Sequence, residues 1–166
     1  NYANIPTNSW MALTNRQSLA GNSFEIHHSM VTIRNTPATS NPAGGLDYTV
    51  VNLNPAVGAG NASTSKAFNN IFSVDNATPQ NYLGLTNQAA NIKNNAYRNF
   101  DASTAERGHS NDAGAVTLAN TPTFGVDDAQ LRNAGTTDVL YSHDINGKRR
   151  TVATPDLGPV DFTSPV

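Results

Sequence analysis

Three stretches of this chain share one pattern of apolar and polar positions. Each opens on an apolar residue, has a small polar residue at the fourth place, and continues with two apolar or aromatic residues. A pattern that recurs in this way is typical of repeat proteins, in which each unit packs against its neighbours. The stretches are IHHSMVTIRN at residues 26–35, AFNNIFSVDN at 67–76 and IKNNAYRNFD at 92–101.

The spacing of these stretches limits the architecture. The second and third begin 25 residues apart, and the first and second begin 41 residues apart. A unit of roughly 20 to 25 residues suffices for one coil of parallel strands, and the longer interval leaves room for a second coil or for outgrown loops. Helical periodicity is hard to find, because Gly, Pro and Asn interrupt nearly every window. The sequence therefore predicts an all-β solenoid of short parallel strands.

Two Asn pairs, Asn69-Asn70 and Asn94-Asn95, occupy equivalent places in two of the stretches. Asn tolerates the left-handed backbone conformation and bonds to nearby backbone groups, and stacked Asn side chains can bond to one another. We therefore interpret both pairs as structural residues at the corners of stacked coils rather than as ligand-binding residues.

The composition excludes several classes of function. The chain of 166 residues has a formal charge of -2, and its basic residues are scattered except for Lys148-Arg149-Arg150, so we expect no nucleic-acid partner. The chain has no cysteine, which excludes disulfides and thiolate chemistry. We expect no membrane span, since no apolar run is long enough. Scarce Lys and Glu, with glycosylation-type triplets at Asn61 and Asn76, favour a secreted or cell-surface protein.

The C-terminal part of the chain contains a more specific pattern. AQLRNAGT at 129–136 is followed by HDINGKRRTVATPDLGPVDF at 143–162. These segments resemble the closing segment of many bacterial β-helix proteins, and the repeated stretches resemble the coils of secreted right-handed parallel β-helix proteins of the pectate-lyase-like superfamily. Asp161 stands where that family more often has Glu. The matching residues are Ala134, Gly135, Thr136, Asp144, Ile145, Gly147, Arg150, Pro155, Asp156, Leu157, Gly158 and Phe162.

The resemblance implies a right-handed parallel β-helix with a C-terminal cap. We expect coils with inserted loops over residues 1–125, and a last strand with a capping segment over residues 126–166. An open end of such a helix exposes edge strands that can associate with other chains, which a folded-back segment prevents. Asn1 begins without an obvious cap, so we expect an upstream segment or another subunit to cover that end.

The same resemblance implies a long acidic polysaccharide as ligand, laid along one sheet. Lyases of the superfamily need a base near a uronate proton and a cation that neutralises the carboxylate, whereas glycoside hydrolases need paired carboxylates. Neighbouring strand residues point to opposite faces, so we expect only one of His27 and His28 to face such a groove. His109 lies in a long polar insertion at residues 100–114, of the kind that overhangs a groove. These three histidines are the catalytic candidates.

Cationic and aromatic residues near the repeats are candidates for binding an acidic sugar, although outward polar residues on a solenoid face are the more common case. We predict no metal ligand, because adjacent histidines on a strand are poorly placed to share an ion. The cofactor stays open: calcium is compatible with the chain, but the acidic calcium loops are missing from it. The candidate substrate-binding residues are Arg34, Lys93, Tyr97, Arg98 and Arg107.

Two functions stay open at this point. The first is a secreted or surface domain that binds a polysaccharide and, if it is an enzyme, cleaves it as a polysaccharide lyase or glycoside hydrolase. The second is a non-catalytic structural or adhesive protein whose coils stack within or between chains as a fibre or surface module. The short chain and the lack of a clear catalytic constellation bring the second hypothesis close to the first.

Overall fold

The computed structural model describes residues 11–14, 25–34, 49–52, 66–75, 82–84, 92–99, 112–138 and 141–162. Within these ranges the chain forms ten short β-strands and no helix. The strands are β1 (Met11–Thr14), β2 (Glu25–His27), β3 (Met30–Arg34), β4 (Thr49–Asn52), β5 (Lys66–Phe68), β6 (Ile71–Asp75), β7 (Tyr82–Gly84), β8 (Ile92–Lys93), β9 (Ala96–Arg98) and β10 (Val116–Thr117).

The strands of the described ranges pair into three small sheets, and each of these pairings is parallel. Sheet I has the order β1-β4-β7, sheet II the order β2-β5-β8, and sheet III the order β10-β9-β6-β3. Three successive parts of the chain therefore each give one strand to every sheet, and β10 extends sheet III by a fourth strand.

The register of sheets II and III follows the repeated pattern of the sequence. In sheet II, Ile26 pairs with Ala67, and Ala67 pairs with Ile92, so the opening residues of the three stretches are neighbours. The fifth residues of the stretches pair in the same way in sheet III. A shift by one residue would turn every side chain to the opposite face, and the repeated pattern therefore specifies the register.

The predicted right-handed parallel β-helix with a C-terminal cap is wrong for this structure. The described residues form separate small parallel sheets of three and four strands, and a single right-handed helix closed by a cap is not present among them. The repeated stretches specify which strands are neighbours, whereas the winding of the sheets depends on connections such as 35–48 and 53–65, which lie outside the described residues. The predicted division of the chain into 1–125 and 126–166 stays a prediction.

An apolar cluster joins sheet III to the C-terminal segment. Ile71 and Ala96 are neighbours in the sheet, and they pack against Leu118, Leu131 and Leu157. All five side chains are at most 4% exposed. Burying a Leu or Ile side chain contributes roughly 1.5 to 3 kcal/mol, so this cluster is a substantial part of what holds the segment on the sheet.

The other face of sheet III carries an aromatic pair. Side chains alternate between the two faces of a strand, so the residues that follow Ile71 and Ala96 point away from the apolar cluster. These residues are Phe72 and Tyr97, whose rings stack with centroids 5.7 Å apart and planes inclined by 28°. Both are at most 1% exposed, so sheet III is covered on both faces at these positions.

Backbone hydrogen bonds fix the C-terminal segment in place. Leu157 N donates to Leu131 O at 2.9 Å, and Gly158 N donates to Asn69 O at 2.8 Å. Gly158 has a φ of 84°, and a Cβ there would collide with the Ile71 side chain. Glycine is therefore required at this point of close approach. The segment lies on a face of sheet III, where the sequence predicted a cap over an open end.

A row of residues with positive φ separates sheet II from sheet III. His28, Asn69 and Asn94 directly follow β2, β5 and β8, and their φ angles are 45°, 59° and 53°. Gly114, with a φ of 87°, lies against Asn94 and continues the row. The left-handed conformation ends each strand and turns the chain, and Asn adopts it more readily than most residues do. We call these residues the corner row.

A second row of polar residues lies beside the corner row, and we call it the amide row: Ser29, Asn70, Asn95 and Asp112. Ser29 is half-buried, and the other three are buried. Asn70 Oδ1 accepts from Ser29 N at 3.0 Å, and Asn95 Oδ1 accepts from both N and Nδ2 of Asn70 at 2.9 Å. Asp112 Oδ2 accepts from Asn95 N at 3.1 Å and from Asn95 Nδ2 at 2.7 Å. The side-chain ladder confirms the structural interpretation of the Asn pairs.

Asp112 ends the amide row in a buried position. Its Oδ2 also accepts from the hydroxyl of Tyr97 at 2.6 Å. Burial raises the pKa of Asp112, although the hydrogen bonds from Tyr97 and Asn95 oppose that shift. Burial and the neighbouring carboxyl group raise the pKa of Tyr97 well above its usual value, so this hydroxyl stays protonated and acts as a donor.

Candidate functional site

His27 and His28 meet at one carboxylate. His27 Nδ1 donates to Asp138 Oδ2, and His28 Nε2 lies 3.8 Å from the same oxygen. A regular strand would have sent the two rings to opposite faces, as the sequence predicted. The structure differs because His28 leaves the strand with a φ of 45°, which brings its ring back towards that of its neighbour. The two histidines therefore act as one cluster with Asp138.

The His27 ring is held tightly on several sides. Phe68 meets it edge-on at a centroid distance of 5.3 Å, and Tyr141 lies 4.8 Å away on a tilted plane. His27 Nε2 is 3.4 Å from Glu25 Oε2, and Glu25 in turn forms an ion pair with Lys66 at 3.0 Å. Only 2% of the His27 side chain is exposed, so this imidazole has a fixed orientation.

His28 is uncharged at neutral pH. Burial lowers the pKa of His28 to about 4, and the positive charge of Arg150 contributes to the shift, while Asp138 opposes it. Asn69 Nδ2 donates to His28 Nε2 at 3.2 Å. The same Asn69 side chain donates to Thr136 O at 2.8 Å and accepts from Thr136 N at 2.7 Å. Asn69 thus connects His28 to the segment around Thr136, which also contains Asp138.

An open cleft of about 430 Å³ lies over this cluster. His27, His28 and Ser29 form part of its floor, and the exposed side chains around it include aromatic and aliphatic groups. Phe124 is 58% exposed, Tyr141 43% and Ile145 65%. Burial of these groups would be favourable, and pockets of such size with an apolar lining and a few polar groups are typical of ligand sites. This cleft is the candidate functional site.

Two charged residues that line the cleft, Arg150 and Asp144, already form hydrogen bonds within the protein. Arg150 is 4% exposed, and its guanidinium donates to Gly158 O at 2.9 Å and to Asp156 O at 3.4 Å. Asp144 is 7% exposed and accepts from the backbone N of Asn146 and Lys148 at 2.8 Å. Burial alone would raise the pKa of Asp144, but backbone N–H donors and Arg150 lower it, so the carboxylate is ionised and bonded.

The other candidates from the sequence lie away from the cleft or outside the described residues. Lys93 and Arg98 end β8 and β9 and are half-buried. Tyr97 is 1% exposed, stacked on Phe72 and bonded to Asp112. Arg34 ends β3, where its backbone is the register neighbour of Asp75 in β6. Arg107 and His109 lie outside the described residues. Of the sequence candidates, His27 and His28 are the residues that the described structure brings together.

Sequence reasoning missed the residues that complete the cleft. Asp138 lies 111 residues beyond its partner His27, and no local spacing connects the two. Tyr141, His143 and Ile145 also line the cleft. They belong to residues 126–166, which the sequence predicted to be a last strand and a capping segment without a role in binding.

No family model and no curated protein matches this chain. The resemblance to the pectate-lyase-like superfamily therefore stays a hypothesis. Within the described residues, no group of three or more His, Cys, Asp or Glu side chains is placed to hold a metal ion. The part of the chain that the structure describes also contains no helix with the length and apolar character needed to cross a membrane.

Proposed function

We propose that this chain binds a polysaccharide in the cleft above His27 and His28. The observation that carries the proposal is the exposure of Phe124, Tyr141 and Ile145 around an open, partly polar cavity. Sugar rings present an apolar C–H face and a rim of hydroxyl groups. Exposed aromatic rings match the first, and a few oriented polar groups match the second.

The polar groups of the cleft suit hydroxyl ligands. Ser29 Oγ donates to His27 O at 2.9 Å, which leaves its oxygen lone pairs directed elsewhere. His143 is exposed, and its Nδ1 lies 3.0 Å from Ser142 Oγ. Serine and imidazole groups both donate and accept, as sugar hydroxyls do, so either direction of bonding can be satisfied.

Lyase-type cleavage needs more than this cleft presents. A general base must come within hydrogen-bond reach of the proton that it removes. The side chains of His27 and His28 are 2% and 4% exposed, and one ring nitrogen of each is already bonded, His27 Nδ1 to Asp138 and His28 Nε2 to Asn69. A binding function therefore fits the described residues better than a cleaving one, and incubation with polygalacturonate should give no unsaturated product.

The alternative function, a structural module that associates with other chains, has its own support. Among the described strands, β1, β2 and β3 each pair along one edge only, and so do β7 and β10. Unpaired strand edges can template pairing with another chain. A secreted or cell-surface location suits both proposals and is supported by the composition described above.

Affinity electrophoresis against a panel of soluble polysaccharides tests the binding proposal. We expect retardation by at least one polymer, and at least tenfold weaker binding by Tyr141→Ala, since burial of an aromatic side chain contributes about 1.5 kcal/mol or more and a tenfold change corresponds to about 1.4 kcal/mol. Val152→Ala is the matched control, because Val152 is 48% exposed and is not among the residues that line the cleft.

Two results separate the alternatives. Lack of retardation by every polymer, with sedimentation that shows reversible association of the chain, would replace carbohydrate binding by the structural function. Equal weakening by Tyr141→Ala and Val152→Ala would remove the cleft as the binding site. A monomer that binds a polymer through Tyr141 would support the first proposal.

A further inference from the structure

We infer that the cleft takes an uncharged sugar, so that the ligand of this chain is a neutral polysaccharide rather than a uronate polymer. The inference deepens the proposed function and rests on it. It departs from the acidic ligand that the sequence resemblance implied. The basis is that the charged groups around the cleft already have partners within the protein.

Arg150 does not offer its charge to a ligand. Its guanidinium is buried, and its N–H groups donate to the carbonyls of Gly158, Asp156 and His143. The carboxylates of Asp161 and Asp144 lie near enough to interact with it electrostatically. A guanidinium that already has carbonyl partners and carboxylate neighbours has little left to gain from a uronate.

The histidine cluster is also internally balanced. His27 Nδ1 donates to Asp138, so this imidazole already has a carboxylate partner. His28, with its pKa lowered to about 4, is neutral at pH 7. Glu25 and Lys66 form a pair of opposite charges next to the cluster. The floor therefore presents neutral polar atoms, and a carboxylate that entered it would lose water without gaining a cation.

Asp144 likewise offers no free charge to a ligand. Its carboxylate is ionised, but it is buried and accepts from the backbone N of Asn146, Lys148 and Asp161. Arg150 and Asp144 interact electrostatically and offset each other, so neither gives a uronate carboxylate a cation to bind.

Among the described residues, Arg149 is an exposed cation close to the edge of the cleft, outside its lining. Arg149 is opposite His143 in an antiparallel bridge, and residues that face each other across such a bridge project to the same side. Arg149 is exposed, so its interactions are screened by salt. Anionic polymers should therefore bind only weakly, at this edge, and lose that binding as the ionic strength rises.

The test is affinity electrophoresis of the full chain with a neutral glucan, a neutral galactomannan and polygalacturonate, each at low and at physiological salt. We expect a neutral polymer to bind at least tenfold more tightly than polygalacturonate, with less than a twofold change between the two salt concentrations. Arg149→Gln should leave the neutral binding unchanged and abolish any binding of polygalacturonate. Tyr141→Ala should weaken the neutral binding by at least tenfold.

The failure of this inference differs from the failure of the proposed function. Tightest binding to polygalacturonate, lost in Arg149→Gln or in salt, would overturn the neutral ligand and keep carbohydrate binding. Loss of neutral binding in Arg149→Gln would overturn it as well. Binding of none of the three polymers, nor of any polymer in the wider panel, would overturn carbohydrate binding itself.

Discussion

Asn95→Ala tests whether the amide row stabilises the fold. Asn95 is fully buried, accepts from Asn70 N and Nδ2 at 2.9 Å, and donates to Ala67 O at 2.9 Å and to Asp112 Oδ2 at 2.7 Å. The alanine leaves the Asn70 N–H and the Ala67 carbonyl without these partners in a buried place. Each such group costs about 1 to 3 kcal/mol, so we expect a loss of about 3 to 5 kcal/mol in the free energy of unfolding.

The assay is urea unfolding followed by far-ultraviolet circular dichroism. With a denaturant slope of about 1 to 3 kcal/mol per molar urea, the midpoint should fall by about 1 M or more. A loss of this size is a large part of the 5 to 15 kcal/mol that usually stabilises a domain. Asn120→Ala is the control, because Asn120 is exposed and its removal should change the free energy of unfolding by less than about 0.5 kcal/mol.

A second variant separates lost hydrogen bonds from lost volume. Asn95→Asp keeps the shape of the side chain but replaces the donor Nδ2 by an acceptor that faces Asp112 and the Ala67 carbonyl. We expect it to be at least as destabilising as Asn95→Ala at pH 7, and less so at pH 4, where protonation restores a donor. If Asn95→Ala matched Asn120→Ala within 1 kcal/mol, or if Asn95→Asp were as stable as the parent at pH 7, the amide row would not be a source of stability.

Two further predictions concern the corner row. Gly114→Ala should cost at least 1 kcal/mol more in unfolding free energy than Gly125→Ala, because both have positive φ but a Cβ at Gly114 would lie 2.6 Å from Asn94 Nδ2, whereas nothing lies within 4 Å at Gly125; equal midpoints in urea would contradict this. His28 binds a proton less readily when folded, since burial and Arg150 lower its pKa to about 4, so its contribution to stability is complete above about pH 6.5 and is lost as the pH falls through 4. In the parent, this effect raises the unfolding free energy by at most roughly 3 kcal/mol between pH 4 and 6.5. His28→Asn, whose side chain tolerates the positive φ, should make this rise smaller. Parallel pH profiles of parent and variant would refute the assignment.

Strand neighbours could be predicted from the sequence because they depend on a local, repeated pattern. The opening residues of the stretches, Ile26, Ala67 and Ile92, are register partners in sheet II. Both properties expected of Asn from its side-chain chemistry occur in the structure: Asn94 adopts positive φ, and Asn95 bonds along the row. The sequence did not indicate which member of a pair has which property. A repeat carries this information because equivalent residues must meet equivalent neighbours.

The arrangement of the sheets and of the cleft could not be predicted in the same way. The fold-class prediction failed because the repeated stretches contain no signal for the hand or closure of the sheets. The partner of His27, Asp138, lies in a segment that matches none of the repeats. Tyr97 was a candidate for sugar binding, but Phe72 and Asp112 enclose its side chain. This enclosure depends on the turn that places Asp112 at the end of the amide row.

The amide row has a direction, and this determines where a further repeat unit would find a partner. An Asn side chain accepts on one side and donates on the other, so a duplicated unit inserted between Asn70 and Asn95, which are 25 residues apart, would meet a suitable neighbour on both sides. Asp112, when ionised, only accepts, so a unit added after it would receive no donor from that side chain. Duplication of a unit before Asp112 would therefore keep the side-chain ladder continuous, and duplication after Asp112 would interrupt it.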